Sequence, residues 1–284
     1  MNANPRIPVD VLISDVDNTM LPYITGFLYP AITAGVASIA RLFHMNPEEM
    51  VRCLAPTMKQ HGHDNPWLIE LSPLRKKFVG TDAQFIDMVV RPFWLAWDEA
   101  AEMSGQAYPG VIKTLETIND LGKRTFALSN GRDFCVIQRL RAAGLLQYIE
   151  GVAAVQVRNK GGFDTTVYDE RRARILSANS DVNLTILQEC ASKPSGAGLA
   201  TILELAAVDV NDCIFTGDAL ELDGVAAAAL GMQYVWMAPG GIFLTRDIDV
   251  MFAGAPIESA RQRHNLSVPV MHEAHRFDEL LKFF

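Results

Sequence analysis

The sequence has few cysteines, no excess of basic residues and no apolar run that approaches the length of a membrane span. Its four cysteines are scattered and form no C-x-x-C pair, which indicates reduced, buried thiols. The formal net charge of −8 argues against nucleic acid as the main partner, although a small anionic substrate stays open because the field in a cleft need not follow net charge. The N-terminus lacks the basic-then-apolar pattern of a signal peptide. We therefore expect a cytoplasmic protein with neither a nucleic-acid nor a membrane partner.

The chain does have the length and composition for a large core. It contains 284 residues, of which 49% are hydrophobic and 20% charged, as is ordinary for a globular protein. Two organisations are open on these numbers: one large domain, or a core domain with a smaller cap.

A short apolar stretch near the N-terminus runs directly into two carboxylates. Residues Val9 to Ser14 are mostly β-branched or apolar and predict a buried strand, and Asp15, Asp17 and Thr19 follow it. Since side chains alternate along an extended chain, we expect Asp15 and Asp17 to face one crevice while Val16 packs the other way. In open α/β sheets this end of the strands binds ligands. For an isolated D-x-D-x-T motif a capped loop is the alternative, so the interpretation depends on the motifs that follow.

Residues 20–105 predict an all-helical unit inserted after that strand. A turn-rich, aromatic segment comes first, and from Ala31 apolar residues recur at spacings of three and four. Asn46-Pro47 and Thr81-Asp82 each have the composition of a helix N-terminus. No stretch of this unit predicts a strand.

From Tyr108 the pattern alternates between strands and helices. We predict strands at 123–128, 151–157, 212–217 and 233–236, a helix from Arg132 to about Ala143, a closing helix near Phe277, and either helix or strand at 183–189. Alternation of this kind predicts an α/β fold with a Rossmann-like, doubly wound parallel sheet. The predicted core domain is 1–19 with 106–284, and the predicted helical cap domain is 20–105.

Four short motifs stand in order along the chain, three of them at predicted strand ends. They are Asp15-x-Asp17-x-Thr19, Ser129, Lys193 and Gly217-Asp218-x-x-x-x-Asp223. A carboxylate can attack phosphorus, and a second one can protonate the leaving oxygen and later activate water. A serine hydroxyl with backbone N–H groups and a lysine can hold phosphoryl oxygens. Converging carboxylates repel each other unless a cation lies among them, and hard oxygen ligands suit Mg²⁺.

This set resembles the haloacid dehalogenase-like superfamily, and the resemblance covers most of the chain. The residues that carry it are Asp15-Val-Asp-Asn-Thr19, Leu128-Ser129-Asn-Gly131, Lys193-Pro194 and Thr216-Gly-Asp218-Ala-Leu-Glu-Leu-Asp223-Gly224, with support from Tyr108-Pro-Gly-Val111 and Ala143-Gly-Leu-Leu146. The helical unit between the first and second motifs looks like the family's α-helical cap.

The resemblance implies a role for each motif residue. Asp15 would be the nucleophile, Asp17 the general acid/base and Lys193 a catalytic cation that binds phosphate. The residues expected to bind the substrate are Thr19, Ser129, Asn130 and Gly131. The residues expected to bind Mg²⁺ are Asp15, Asp17 through its backbone carbonyl, Asp218 and Asp223, the last close by or in an outer position.

Asp17 also selects among the chemistries of the superfamily. The resemblance implies that dehalogenases lack an acid at this position, because a carbon–halogen bond needs no protonated oxygen leaving group. We therefore expect Mg²⁺-dependent hydrolysis of a small phosphorylated metabolite through an aspartyl-phosphate, by a monomer or homodimer. Phosphomutase-type transfer on the same scaffold, or a catalytically silent binding protein, is the alternative.

Residues 158–190 make the interval from Ser129 to Lys193 longer than a plain helix-strand crossover needs. We expect an extra flap or hairpin there, which could shape the site or mediate dimerisation. Nothing in the sequence decides between these two roles.

Several other groups invite a functional interpretation that we do not favour. His61-Gly-His63-Asp64 could bind a metal but fits a solvated loop, and Arg75-Lys76-Lys77 could hold an anion but fits a solvated face. We expect Gly196-Ala-Gly198 to be a helix start. The aromatic residues that could stack on a substrate, but are expected in the cap core, are Trp67, Phe93, Trp94 and Trp97. The histidines expected at the surface of the C-terminal tail are His264, His272 and His275.

Overall fold

The computed structural model of the chain describes residues 9–156, 162–237 and 272–284. Its centre is a parallel sheet of seven strands in the order β4-β3-β2-β1-β5-β6-β7. The strands are β1 Val11–Ser14, β2 Arg124–Arg132, β3 Gly151–Val155, β4 Leu184–Leu187, β5 Cys213–Gly217, β6 Gln233–Met237 and β7 His272–Ala274. The predicted Rossmann-like parallel sheet is confirmed, and its strand order reverses at β1, where successive crossovers leave in opposite directions.

Strand β1 occupies the middle of the sheet because its four residues are apolar or small and all are buried. Val11 is in register with Arg124 of β2 on one side and with Cys213 of β5 on the other. Leu12 packs into the apolar layer on one face of the sheet, and Ile13 packs into the layer on the opposite face. A strand buried on both faces explains the nearly continuous apolar sequence that precedes Asp15.

Helices cover both faces of the sheet and form a separate unit after β1. They are α1 Tyr29–Ala40, α2 Pro47–His61, α3 Leu68–Leu71, α4 Leu74–Lys77, α5 Asp82–Phe85, α6 Arg91–Ser104, α7 Val111–Asp120, α8 Asp133–Ala142, α9 Thr166–Ser177, α10 Ala197–Ala206 and α11 Val225–Leu230. Helices α7 and α8 belong to one layer, and α10 and α11 to the other. The tail closes with a 3₁₀ helix, Phe277–Phe283, against the layer of α7.

The segment between β1 and α7 contains only helical elements and turns, apart from one isolated β-bridge between Asp17 and Leu21. We call α1 to α6 and the π-helical turns that precede α1 and α6 the helical insertion. Its own apolar cluster includes Phe27, Phe93 and Trp97, and it is distinct from the two layers of the sheet. The boundaries of the cap domain at residues 20 and 105 stay a prediction.

One helical run in the insertion qualifies as membrane-spanning by length and composition, which corrects the expectation of no such apolar run. It comprises 20 residues, Ile24–Phe43, with a mean hydropathy of 1.3. Within the described residues its side chains Ile32, Val36 and Ile39 are buried in the cluster of the insertion, as in the core helix of a folded domain. The length and the apolar composition of this helical run are therefore explained by its packing in the core of the insertion.

The expected flap or hairpin at 158–190 is wrong for the residues of that range that the structure describes. Residues 157–161 lie outside the described residues. The remainder forms α9 and then β4, which pairs parallel with β3 as the outermost strand on that side. The extra length thus completes one more helix-strand crossover. Polar and charged residues dominate α9, so periodicity gave a weak signal there.

Ion pairs join the helical insertion to α8 and α9. Arg171 of α9 donates to both carboxylate oxygens of Asp98 in α6, at 3.0 and 2.8 Å, and its guanidinium lies 4.0 Å from the ring centre of Trp94. Arg141 of α8 pairs with Glu102 of α6 nearer the surface. These contacts attach α6 to the helices that flank the sheet.

Candidate active site

The first motif forms a tight turn at the carboxyl end of β1. The Asp15 N–H donates to the Thr216 carbonyl of β5 at 2.8 Å, so the chain still follows the sheet at this residue. Asn18 has a φ of 60°, in the left-handed region that asparagine tolerates, and the chain reverses there. Asp15 and Asp17 both line one cleft, while Val16 is buried in an apolar layer.

Asp15 is buried and both of its carboxylate oxygens have partners. Lys193 Nζ lies 2.5 Å from Oδ1, and the Thr19 hydroxyl donates to Oδ2 at 3.0 Å. Lys193 also lies 2.6 Å from Asp223 Oδ1. Burial alone would lower the pKa of Lys193, but the charges of Asp15 and Asp223 outweigh it and raise that pKa. The lysine therefore stays charged between two carboxylates.

The second motif lies at the end of β2, where the register with β3 shifts between Ser129 and Arg132. The Gly131 N–H donates to the Ser129 hydroxyl at 2.9 Å, and both residues line the cleft. Asn130, which is expected to bind the substrate, also makes a contact that the sequence did not indicate. Its amide donates to the Lys193 carbonyl and accepts from the Lys193 N–H, each at 2.8 Å. Asn130 therefore fixes the backbone of Lys193 as well as lining the cleft.

Asp218 and Asp223 reach the same place from the end of β5. Carboxylate oxygens of Asp15, Asp218 and Asp223 lie within 4.8 Å of one another. The Ala219 N–H donates to Asp223 Oδ2 at 3.0 Å, and a Cβ on Gly217 would stand only 2.3 Å from that oxygen. Glycine is required at 217 because any other side chain would displace the carboxylate.

The three carboxylates fit a hard divalent cation. Oxygen donors of this kind are the ligands that Mg²⁺ prefers, and uncompensated carboxylates this close repel each other. Burial raises the pKa of Asp223 to about 6 even though Lys193 opposes the shift. The Asp17 side chain, by contrast, is not in this group. Any ligation by Asp17 would have to come from its backbone carbonyl, as the resemblance implies.

Asp17 has a partner that sequence reasoning missed. Arg139 of α8 donates from Nη2 to Asp17 Oδ2 at 2.7 Å. Burial raises the pKa of Asp17 to about 6, against the lowering effect of Arg139 and with a further raising effect of Asp15. The available signal was an arginine placed four residues after Cys135 and four before Ala143, on the apolar side of a predicted helix. Such a charge needs a buried partner.

The helical insertion reaches the rim of the cleft through the loop that follows α2. Asp64 in this loop lies 3.4 Å from Arg132, the residue after Gly131. Burial would raise the pKa of Asp64, but Arg132 and Arg139 outweigh it and lower that pKa. The cleft below has a volume of about 270 Å³. A charged contact therefore links the insertion to the loop that carries Ser129.

The groups that sequence analysis set aside lie elsewhere. Among the described residues, the one cluster suited to a metal is the three-carboxylate group, and neither His61 nor His63 belongs to it. Arg75 pairs with Asp82 at the surface, and Gly196 precedes α10. The aromatic residues Phe93, Trp94 and Trp97 are buried in the core of the insertion. Trp67 stacks on Tyr168, with ring centres 5.5 Å apart. His264 lies outside the described residues.

Comparison of the sequence with models of known protein families identifies one family. The sequence model of the haloacid dehalogenase-like hydrolases matches residues 9–231. No curated protein matches the chain.

Solved structures share the fold over nearly the whole chain. The chain is similar to 2-haloacid dehalogenase from Pseudomonas syringae pv. Tomato DC3000, with a TM-score of 0.60, 16% identity and 97% of each chain covered. It is similar to a HAD phosphatase from Thermococcus onnurineus, with a TM-score of 0.54, 16% identity, and 96% of this chain and 97% of that chain covered. It is also similar to a predicted phosphoglycolate phosphatase from Haemophilus somnus, with a TM-score of 0.51, 14% identity and the same coverage. At these identities the likeness shows the fold alone.

Proposed function

The chain belongs to the haloacid dehalogenase-like hydrolases, and we propose that it hydrolyses a small phosphomonoester with Mg²⁺ through an aspartyl-phosphate on Asp15. One observation carries the proposal: the two carboxylates that follow β1 have opposite environments. Asp15 is bound to the buried cation Lys193, whereas Asp17 has a pKa raised to about 6 and one oxygen that has no hydrogen-bond partner among the described residues. Different environments of neighbouring carboxylates are the usual basis for a division between nucleophile and acid.

In the first step a carboxylate oxygen of Asp15 attacks phosphorus, and the bond from phosphorus to the leaving oxygen breaks. Lys193 lies 2.5 Å from Asp15 and can neutralise phosphoryl oxygens bound beside it. Ser129 lines the same cleft and offers a hydroxyl to those oxygens. Thr19, which donates to Asp15 Oδ2, holds the nucleophile in place.

Asp17 would move the proton in both halves of the reaction. It gives a proton to the leaving oxygen in the first half, and takes one from the water that attacks the aspartyl-phosphate in the second. A pKa near 6 suits both tasks, because each protonation state is accessible close to neutral pH. The products are the free alcohol and inorganic phosphate, and Asp15 is regenerated.

The residues that would hold Mg²⁺ are Asp15, Asp218 and the backbone carbonyl of Asp17, with Asp223 beside them. When bound, the ion would neutralise the phosphoryl oxygens and orient them for attack. The raised pKa of Asp223 supports this arrangement, since it reflects a buried carboxylate that Lys193 does not fully compensate.

Cleft size and the helical insertion support a small substrate. The cleft of about 270 Å³ suits a metabolite-sized molecule rather than a polymer. The Asp64–Arg132 contact brings the insertion to the cleft rim, where it can exclude water and contact the leaving group. A cytoplasmic location, and a monomer or homodimer, stay predictions.

Dehalogenation is the second candidate, because a dehalogenase shares the fold. Asp17 argues against it, since halide leaves without a proton. In a mutase, the aspartyl-phosphate would have to persist until another hydroxyl group had taken the place of the first leaving group and could accept the phosphoryl group. A silent member would tolerate the loss of Asp15 or Asp17, yet both acids line the cleft.

The test measures phosphate release from a panel of phosphorylated metabolites and from p-nitrophenyl phosphate, with Mg²⁺ and with EDTA. Wild type is compared with Asp15→Asn and with Asp10→Asn, a matched control at the opposite end of β1 that pairs with Lys123 at the surface. We expect Mg²⁺-dependent turnover in wild type and in Asp10→Asn, and none in Asp15→Asn.

The same proteins are assayed for halide release from 2-haloacids. Halide release without phosphate release would overturn the proposal in favour of dehalogenation. Phosphate exchanged between two positions of one sugar, with none released, would favour a mutase.

A further inference from the structure

The buried guanidinium beside Asp17 has no place in the reaction as described so far. From its geometry we infer that Arg139 is a positioning residue, which fixes the orientation of the Asp17 carboxylate that exchanges a proton with the leaving oxygen. The inference rests on the proposed function and assigns to it a residue that neither the motifs nor the comparisons identify.

The two oxygens of Asp17 have different surroundings. Oδ2 accepts a hydrogen bond from Arg139 Nη2 at 2.7 Å. Oδ1 is buried and has no hydrogen-bond partner among the described residues, and Asp17 lines the cleft. An arginine keeps its protons under all ordinary conditions, so Oδ2 always faces a hydrogen-bond donor, and this bond restricts how the Asp17 carboxylate can turn.

Arg139 itself is buried against aromatic rings, as suits a positioning residue. Its side chain is 2% exposed, and its guanidinium carbon lies 4.7 Å from the ring centre of Phe27 and 5.4 Å from that of Tyr23. Both rings belong to the first turns of the helical insertion. A Cβ on Gly131 would come within 2.8 Å of Arg139 Nη2, so the loop that carries Ser129 leaves room for the guanidinium only because this residue is glycine.

A planar guanidinium is suited to a position between two aromatic rings and a carboxylate. It can lie against two aromatic rings with its faces while its edge donates to a carboxylate, whereas an ammonium group has no flat face. The position also ties the acid to the insertion, because two of the surfaces that hold Arg139 come from it.

A merely structural role for Arg139 makes a different prediction. Proton donation matters for a weakly acidic leaving group and hardly matters for a strongly acidic one. If Arg139 orients the proton donor, its loss must impair hydrolysis of phenyl phosphate and largely spare 2,4-dinitrophenyl phosphate. If Arg139 only supports the fold, both substrates must suffer equally.

The experiment measures kcat/KM for these two substrates with Mg²⁺. This parameter reports the steps up to departure of the phenol, so breakdown of the aspartyl-phosphate does not enter. We expect Arg139→Met to lower kcat/KM for phenyl phosphate by about 100-fold and for 2,4-dinitrophenyl phosphate by less than about 3-fold. Arg139→Lys, which keeps a donor and a charge, should recover part of the loss on phenyl phosphate only.

Two comparisons complete the test. Arg141→Met is the matched control, since Arg141 lies on the same helix and pairs with Glu102 of the insertion away from the cleft; it should leave both values unchanged. Asp17→Asn with Arg139→Met should be no worse on phenyl phosphate than Asp17→Asn alone, because both changes remove the same proton transfer.

Equal losses on the two substrates, or no loss on either, would overturn the inference. Should Arg139→Met fail to fold, Phe27→Leu removes one of the rings that hold the guanidinium, and it must show the same substrate dependence to a smaller degree. Failure of the proposed function is a separate result: it would show as absence of Mg²⁺-dependent phosphate release by wild type.

Discussion

Loss of the Lys193 charge should destabilise the protein by far more than loss of a surface charge. Lys193 lies 2.5 Å from Asp15 and 2.6 Å from Asp223, and the three side chains are 4%, 8% and 1% exposed. The change Lys193→Met keeps most of the buried length of the side chain but removes its charge. Two buried carboxylates then face each other without a counterion.

The expected cost is about 3–5 kcal/mol, the range found when one partner of a buried ion pair is removed. For a chain of this size that corresponds to a fall in Tm on the order of 10 °C. The assay is thermal and urea unfolding at pH 7.5 in EDTA, so that no divalent cation replaces the lysine. Lys123→Met is the matched control: it breaks the exposed pair with Asp10 and should cost less than about 1 kcal/mol.

A third variant identifies the origin of the loss. In Lys193→Met with Asp223→Asn only one buried carboxylate remains charged, so the double variant should be more stable than Lys193→Met by about 0.5–3 kcal/mol. Equal stability of Lys193→Met and wild type would refute the reasoning. A double variant less stable than Lys193→Met would refute it as well, because carboxylate repulsion would then not be the cause.

Three further predictions concern other parts of the structure. Gly217→Ala should lower kcat at least tenfold, because its Cβ would stand 2.3 Å from Asp223 Oδ2; unchanged kinetics would contradict the packing. Asn130→Ala should cost about 1–3 kcal/mol of transition-state stabilisation, measured as kcat/KM, by releasing the backbone of Lys193; an effect on stability alone would contradict this role. Burial raises the pKa of Glu70 to about 7, so the folded state disfavours its charge and loses stability as pH rises from about 4.5 to 7. Glu70→Gln should therefore gain up to about 3 kcal/mol relative to wild type between pH 5 and 8 in urea unfolding, and a constant difference would contradict the shift.

The strands that could be predicted from the sequence are those whose run of apolar residues matches their burial on both faces of the sheet. Val11 to Ser14 read as a buried strand because both faces of β1 are covered, and the same holds for β3 and β5. Strand β4 was left open between helix and strand, since it lies at the edge and is only partly buried. Strand β7 has three residues, too few for an alternation to be recognised.

The positions of Asp15 and Lys193 could be related from sequence only through the motifs, because 178 positions separate them. Neither residue carries local information about the other. The substrate contact expected for Asn130 stays a prediction, but the hydrogen bonds between its amide and the backbone of Lys193 had no signal in the sequence. Pairings of this kind depend on where two loops meet in space, and no periodicity reports that.

The burial of Arg139 could have been predicted from the sequence, but its partner could not. Its helix was predicted, and its position on the apolar face follows from that prediction. A buried arginine must be paired, so a buried acidic partner could have been expected from the sequence. That the partner is Asp17 could be learned only from the fold, because Asp17 lies 122 positions earlier, in the turn after β1.

The most direct test of the account asks whether Asp15 is phosphorylated during turnover. Wild type and the variants Asp15→Asn and Asp17→Asn are mixed with 2,4-dinitrophenyl phosphate and Mg²⁺, quenched in acid, digested and examined by mass spectrometry. We predict a phosphoryl group on the peptide that contains Asp15, in greater amount in Asp17→Asn, which cannot activate the second-step water, and none in Asp15→Asn. Phosphate release by wild type with no phosphoryl group on this peptide in any sample, or with the group on another residue, would contradict the account.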